Sequence, residues 1–211
     1  LGKSRFNPSL FNREMNASLD ICFGLLPIGI FAGALIVIGF LPFAFPSQYT
    51  DGSLGASAVD LFMVLLLGWG FTLLATPTYT ALQAGPKPWL FTFFITTVVV
   101  FATVFGFLLI GWQAPQGERP GLYAAALAST FSAAFALFLS IQLSGSWDFV
   151  FNRSKEWIFA VLCMSVSCYG LSTHSWLAGT GFLLFLFIPQ ALQAVGSNVE
   201  QKFLLKTSEA E

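Results

Sequence analysis

Charge is what this sequence has least of. Aspartate, glutamate, lysine and arginine together make up 9% of its 211 residues, against roughly 25% in an average soluble domain. So few charges cannot cover a surface in water. Histidine occurs once, at His174, and cysteine three times, at Cys22, Cys163 and Cys168, with no Cys-x-x-Cys pair among them. No metal or thiol redox centre can be assembled from that set, and the cysteines read as small buried hydrophobes. Glycine-rich phosphate loops and nucleophile–base pairs are also lacking, so the chain does not read as an enzyme and no metal or catalytic residue is expected. The nine basic residues are dispersed and the net charge is −1, which gives nucleic acid nothing to bind.

What the chain has instead is apolar surface. Hydrophobic residues make up 56% of it and aromatics 17%, with 25 phenylalanines, and the mean hydropathy is +0.77. These values describe an all-α, polytopic membrane helix bundle. Roughly 20 apolar residues cross the hydrocarbon as a helix, and six segments suffice: about 19–45, 58–82, 89–112, 122–143, 157–171 and 176–195. They form a single transmembrane domain, 19–196, between a polar N-terminal tail, 1–18, and a charged C-terminal tail, 197–211. Gly85-Pro86-Lys87-Pro88 makes a tight turn, and 144–156, with Trp147, Phe149, Val150 and Phe151, has the mixed character of a short interfacial helix.

Six spans put both termini on one side, and the basic residues agree. Lys3, Arg5, Arg13, Lys87, Arg153, Lys155, Lys202 and Lys206 fall on the side of the termini, and Arg119 alone falls opposite. Basic residues mark the cytoplasmic face, so both termini are expected in the cytoplasm or an equivalent stroma or matrix. The membrane would be an inner or plasma membrane or a thylakoid-type energy-transducing one. Trp89, Trp112, Trp147, Trp157 and Trp176 lie at span ends or in the adjoining loop, as headgroup-level tryptophans do. Trp69 alone falls at mid-membrane. Matching loop lengths in the two halves also fit a 3+3 inverted arrangement.

Several constellations stand out against this apolar background. Pro27, Pro77 and Pro189 lie within spans one, two and six on the cytoplasmic side, where each frees a carbonyl and bends its helix; they read as a kink layer. Thr76, Tyr79 and Gln83 share one face of span two by their spacing of three and four, and Gln190 lies near the third proline. With Trp69 and Pro77 they form a candidate solute path; the same hydroxyls could equally bond neighbouring helices. Gly29 and Gly33 make a GxxxG pattern, and span four carries two series of small residues at intervals of four, Ala125, Ser129 and Ala133 and then Ser132, Ala136 and Ser140, all suited to close helix packing. Asp20 and Asp60 are expected in first helical turns, where free N–H groups stabilise a carboxylate.

In size, span number and inner termini the chain resembles small oligomeric solute channels such as the acetate and succinate permeases and the amide and urea channels. The likeness is one of layout: the permeases' Asn-Pro-Ala-Pro signature is absent, and Asn7-Pro8-Ser9-Leu10 echoes it only in part. Two functions follow as expectations. One is a channel or facilitator for a small neutral or weakly acidic molecule. The other is a non-catalytic subunit of a larger membrane assembly, energy-transducing or pigment-containing. Expected partners are the lipid bilayer and either further copies of the chain or other membrane subunits. No cofactor is required, though the phenylalanine-rich exterior would suit a bound lipid or pigment.

Overall fold

The computed structural model describes residues 8–44, 55–85, 87–158, 160–162 and 164. They are almost wholly helical, as chain in lipid must be when its backbone has no water to bond. In order, the elements are α1 (Pro8–Ala44), α2 (Gly55–Ala84), α3 (Pro88–Gln113), a 3₁₀ turn (Ala114–Gln116), α4 (Glu118–Ser144) and the short α5 (Trp147–Asn152). Helical residues continue over 154–158 and 160–162, where the fifth span is expected to begin. Leu61–Ala84, Pro88–Gln113 and Pro120–Ser144 are each long and apolar enough to cross a membrane. The rest of the expected fifth span and all of the sixth lie outside the described residues.

α1 starts at Pro8, well before the point where the composition turns apolar. Proline costs little in a first helical turn, because its missing N–H would have no helical partner there. The reason for the early start is a continuous stripe. Met15, Leu19, Cys22, Leu26 and Ile30 are all buried, and Phe11 packs on the same core. Their spacing of three or four keeps them on one face, while Arg13 lies off that face and is exposed. The polar character of 8–18 therefore belongs to the far side of a helix.

α2 is the centre of the bundle. It packs most extensively on α4 and next on α1, and α3 lies chiefly against α4. The sequence around Trp69 explains how one helix serves several neighbours. A Cβ on Gly29 of α1 would overlap the Trp69 ring, and one on Gly33 would meet Leu66 at 2.6 Å. On another side, Gly68 leaves room for Thr130 of α4, whose Oγ1 would lie 3.2 Å from an added Cβ. Gly70 accepts Leu26 and Met164, the latter from the segment after α5. Lipid tails are as apolar as leucine, so helices in a membrane associate through such close packing and through interhelical hydrogen bonds.

Aromatic stacking joins α3 to α4. The Phe101 and Phe135 rings lie 4.1 Å apart and nearly parallel, and Phe105 meets Phe131 edge-on at 5.6 Å. Among the described residues, the outer face of α3 is left bare, with Trp89, Phe93, Val100, Phe107 and Trp112 exposed. α4 ends at Gly145, whose φ of 65° is left-handed and suits glycine. There the Ser146 N–H donates to the Ile141 carbonyl at 3.1 Å and the Gly145 N–H to Gln142 at 3.4 Å. This paired C-terminal capping turns the chain sharply into α5.

Gly70→Val should destabilise the fold by about 2 kcal/mol through overpacking against Met164 and Leu26. Gly111→Ala, which meets nothing within 4 Å, should be neutral or stabilising by about 0.5–1 kcal/mol. Unfolding midpoints in detergent compare the two, and equal shifts would contradict the packing described.

Candidate functional site

A helix in lipid satisfies its own backbone, so hydroxyl side chains on it have carbonyls of the preceding turn as their first partners. α2 carries a run of them. Thr72 Oγ1 donates to the Gly68 carbonyl at 3.0 Å, Thr76 to Thr72 at 3.0 Å, and Thr80 to Thr76. These bonds leave each hydroxyl's acceptor capacity available. Trp69, Thr72, Thr76, Tyr79 and Gln83 follow at intervals of three and four, so they form one stripe along α2. Trp69, Thr72 and Gln83 are exposed and Thr76 and Tyr79 half-buried, whereas Leu74, Pro77, Thr78 and Ala81 on the other side are buried. Among the described residues, the candidate path is thus the open face of the central helix.

Trp69 has a double position. One side of its indole rests on Gly29, while 41% of the residue remains exposed. Thr72 belongs to the same stripe and was missing from the sequence-based set, although the three-and-four spacing that joined Thr76, Tyr79 and Gln83 extends to it. Pro77 is fully buried. Because Gly29 lies on Trp69 and Gly33 on Leu66, α1 and α2 are antiparallel. Pro27 then stands about level with residue 71 and Pro77 about level with residue 21. That six-residue offset is roughly 9 Å along the bundle. Pro189 and Gln190 lie outside the described residues.

Polar contacts between α2 and α4 are buried. The hydroxyls of Thr78 and Ser140 lie 2.7 Å apart, with the Ala75 and Leu137 carbonyls each 2.8 Å from the hydroxyl on its own helix. Two hydroxyl protons serve three short contacts, so one hydroxyl donates across the interface while the other donates within its helix. Higher in the bundle, Thr130 Oγ1 donates to the Val64 carbonyl at 2.7 Å. Ser132 and Ser140 are buried on this face of α4, whereas Ser129 is exposed and Ala133 half-buried. Of the two small-residue series on α4, the one through Ser132 and Ser140 faces into the described bundle.

A cluster of ion pairs lies at one end of the described bundle. Asp20, expected in a first helical turn, lies in the interior of α1 because that helix begins at Pro8. Its partner is the Arg153 guanidinium, which also pairs with Glu156, donates to the Asn16 carbonyl at 3.3 Å and stacks 5.4 Å from the Phe23 ring. Burial works against the guanidinium's charge, but the hydrogen bonds and negative charges of Asp20 and Glu156 outweigh it and raise the pKa above its ordinary value. Phe23 meets Trp157 edge-on at 5.3 Å. The Trp157 ring nitrogen is buried without a hydrogen-bond partner among the described residues. Asp60 occupies the second turn of α2, which begins at Gly55.

Neither histidine–cysteine clusters nor carboxylate groups that could hold a metal occur among the described residues. Comparison with family models, characterised proteins and solved structures finds no match to this chain.

Arg153→Gln should lower stability by about 1 kcal/mol: the ion pair is partly solvated, which discounts its value, but two carboxylates lose their donor. Glu156→Gln, which leaves the α1 connection intact, should cost less than half as much in detergent unfolding. Equal losses would show that Arg153 does not tie α1 to the chain after α5.

Proposed function

We propose that the protein is a membrane channel or facilitator for a small neutral or weakly acidic solute, built as six transmembrane helices with both termini on the cytoplasmic side or its equivalent. The stripe through Thr72, Thr76, Tyr79 and Gln83 carries this reading. Hydroxyl and carboxamide groups on a membrane helix are favourable where they meet another polar group or water, and on this face Thr72 and Gln83 stay exposed while Thr76 and Tyr79 are half-buried in the described bundle. A neutral lining suits solutes that cross without a counter-charge, because it replaces water's hydrogen bonds without trapping an ion. Trp69 and Pro77 would shape the path, with Gln190 contributing from the sixth span.

The topology has its own support. Asp20, near the expected inner end of span one, pairs with Arg153, from the connection between spans four and five. The positive-inside distribution assigns those two points to the same face. Matching loop lengths favour a 3+3 inverted arrangement, and the exposed Ser129 on α4 offers a close-approach surface for further copies of the chain.

The alternative is a non-catalytic subunit of a larger membrane assembly, and the bare aromatic face of α3 is the observation that favours it. Almost none of that helix is buried within the described bundle. Lipid, a pigment or another subunit would each cover it.

Flux distinguishes the two. The purified chain in liposomes should pass glycerol, urea or acetic acid faster than protein-free vesicles, and Thr76→Val or Tyr79→Phe should change the rate about three- to tenfold, the effect of one hydrogen bond. Transport of none of these solutes, together with native purification in a fixed stoichiometry with other chains, would replace the channel by the subunit reading.

A further inference from the structure

A pocket of about 530 Å³ opens beside the turn that follows α4. Its walls include Phe11 and Asn16 of α1, Ser144 at the end of α4, and Asp148, Phe149 and Asn152 of α5. Among the described residues that line it, Asp148 is the one charged group and none is basic. The capped end of α4 and the start of α5, with Ser146 as its N-cap, both border the pocket; their opposite poles offset one another, so Asp148 sets its charge. Arg153, which follows Asn152, is committed to Asp20, Glu156 and the Asn16 carbonyl. Its guanidinium is therefore engaged outside the pocket.

A carboxylate with no described basic group beside it in the lining disfavours anions. A hard divalent cation would need several carboxylate or carbonyl ligands in a shell, and the pocket offers a single carboxylate between two phenylalanines. An ammonium group matches both features: its charge pairs with a carboxylate, its N–H groups donate to amide and hydroxyl oxygens, and its methyl or methylene groups lie against aromatic faces. The volume lies within the range of small-molecule sites, so the pocket takes a whole ethanolamine or choline group. We propose that this pocket binds a primary or quaternary ammonium group, presented by a lipid headgroup or by a free amine. Its place among the basic residues that mark the inner face puts it at headgroup level, and the assignment does not depend on whether the protein conducts.

The test uses the full chain in nanodiscs, with tetramethylammonium and ethanolamine as soluble probes followed by saturation-transfer NMR at constant ionic strength. A second arm measures, by native mass spectrometry, retention of phosphatidylethanolamine against phosphatidylglycerol from an equimolar mixture. Binding should be saturable, weakened about tenfold or more by Asp148→Asn and largely kept by Asp148→Glu, as expected when a charge-assisted contact is lost or preserved. Asp148 is exposed, so both variants should fold, with unchanged melting as the check. Asp148-dependent enrichment of phosphatidylethanolamine assigns the site to a lipid; saturable probe binding without enrichment assigns it to a free amine. Absence of both, or binding that Asp148→Asn leaves unchanged, overturns the proposal.

Discussion

The indole of Trp69 lies against the bare backbone of Gly29, and the arrangement of the helices depends on that contact. In a bilayer the hydrophobic effect does not drive one apolar helix onto another, so association depends on how closely surfaces fit and on what they can hydrogen-bond. The largest side chain meets the smallest residue on the facing helix. The glycines beside it then open two further sides of α2, Gly68 toward Thr130 and Gly70 toward Leu26 and Met164. One three-residue segment thus sets the distances from α2 to α1, to α4 and to the segment after α5. Dispersion contacts fall off steeply with separation, so a change of one methyl group here is felt on more than one helix.

Hydrogen bonding is distributed around α2 in the same economical way. Hydroxyls that face α4 are buried and bond across the interface, as Thr78 does with Ser140. Those on the opposite side bond back to their own helix and keep an acceptor open. A helix with this division can be held firmly on one side and still offer polar groups on the other. An ion-pair cluster lies at one end of the bundle, where Arg153 links α1 to the chain after α5. That placement costs little, because the groups retain access to water or headgroups.

Much of this was legible in the sequence. The apolar runs about 58–82, 89–112 and 122–143 correspond to α2, α3 and α4 within a few residues, because span length is fixed by the bilayer and loops are marked by glycine and proline. Gly29 and Gly33 were readable as a packing face, and the Thr76–Tyr79–Gln83 face as a unit, from spacing alone. The start of α1 was not, since hydropathy averages over a helix's two faces and hides a stripe such as Phe11, Met15 and Leu19 beneath polar neighbours. The pairing of Asp20 with Arg153 depends on two distant segments meeting, which no local pattern encodes. Periodicity found both small-residue series on α4 but could not rank them. Only the partner helix shows that Ser132 and Ser140 face inward while Ser129 does not.

The central claim is that Trp69 and Gly29 act as one packing unit, and a double-mutant cycle measures it most directly. Gly29→Ala should cost about 1–3 kcal/mol of unfolding free energy in the wild-type background, because its methyl group enters the indole's space. In the Trp69→Ala background the same substitution should cost close to nothing. Additive effects, with the Gly29→Ala cost unchanged when the indole is absent, would contradict the account.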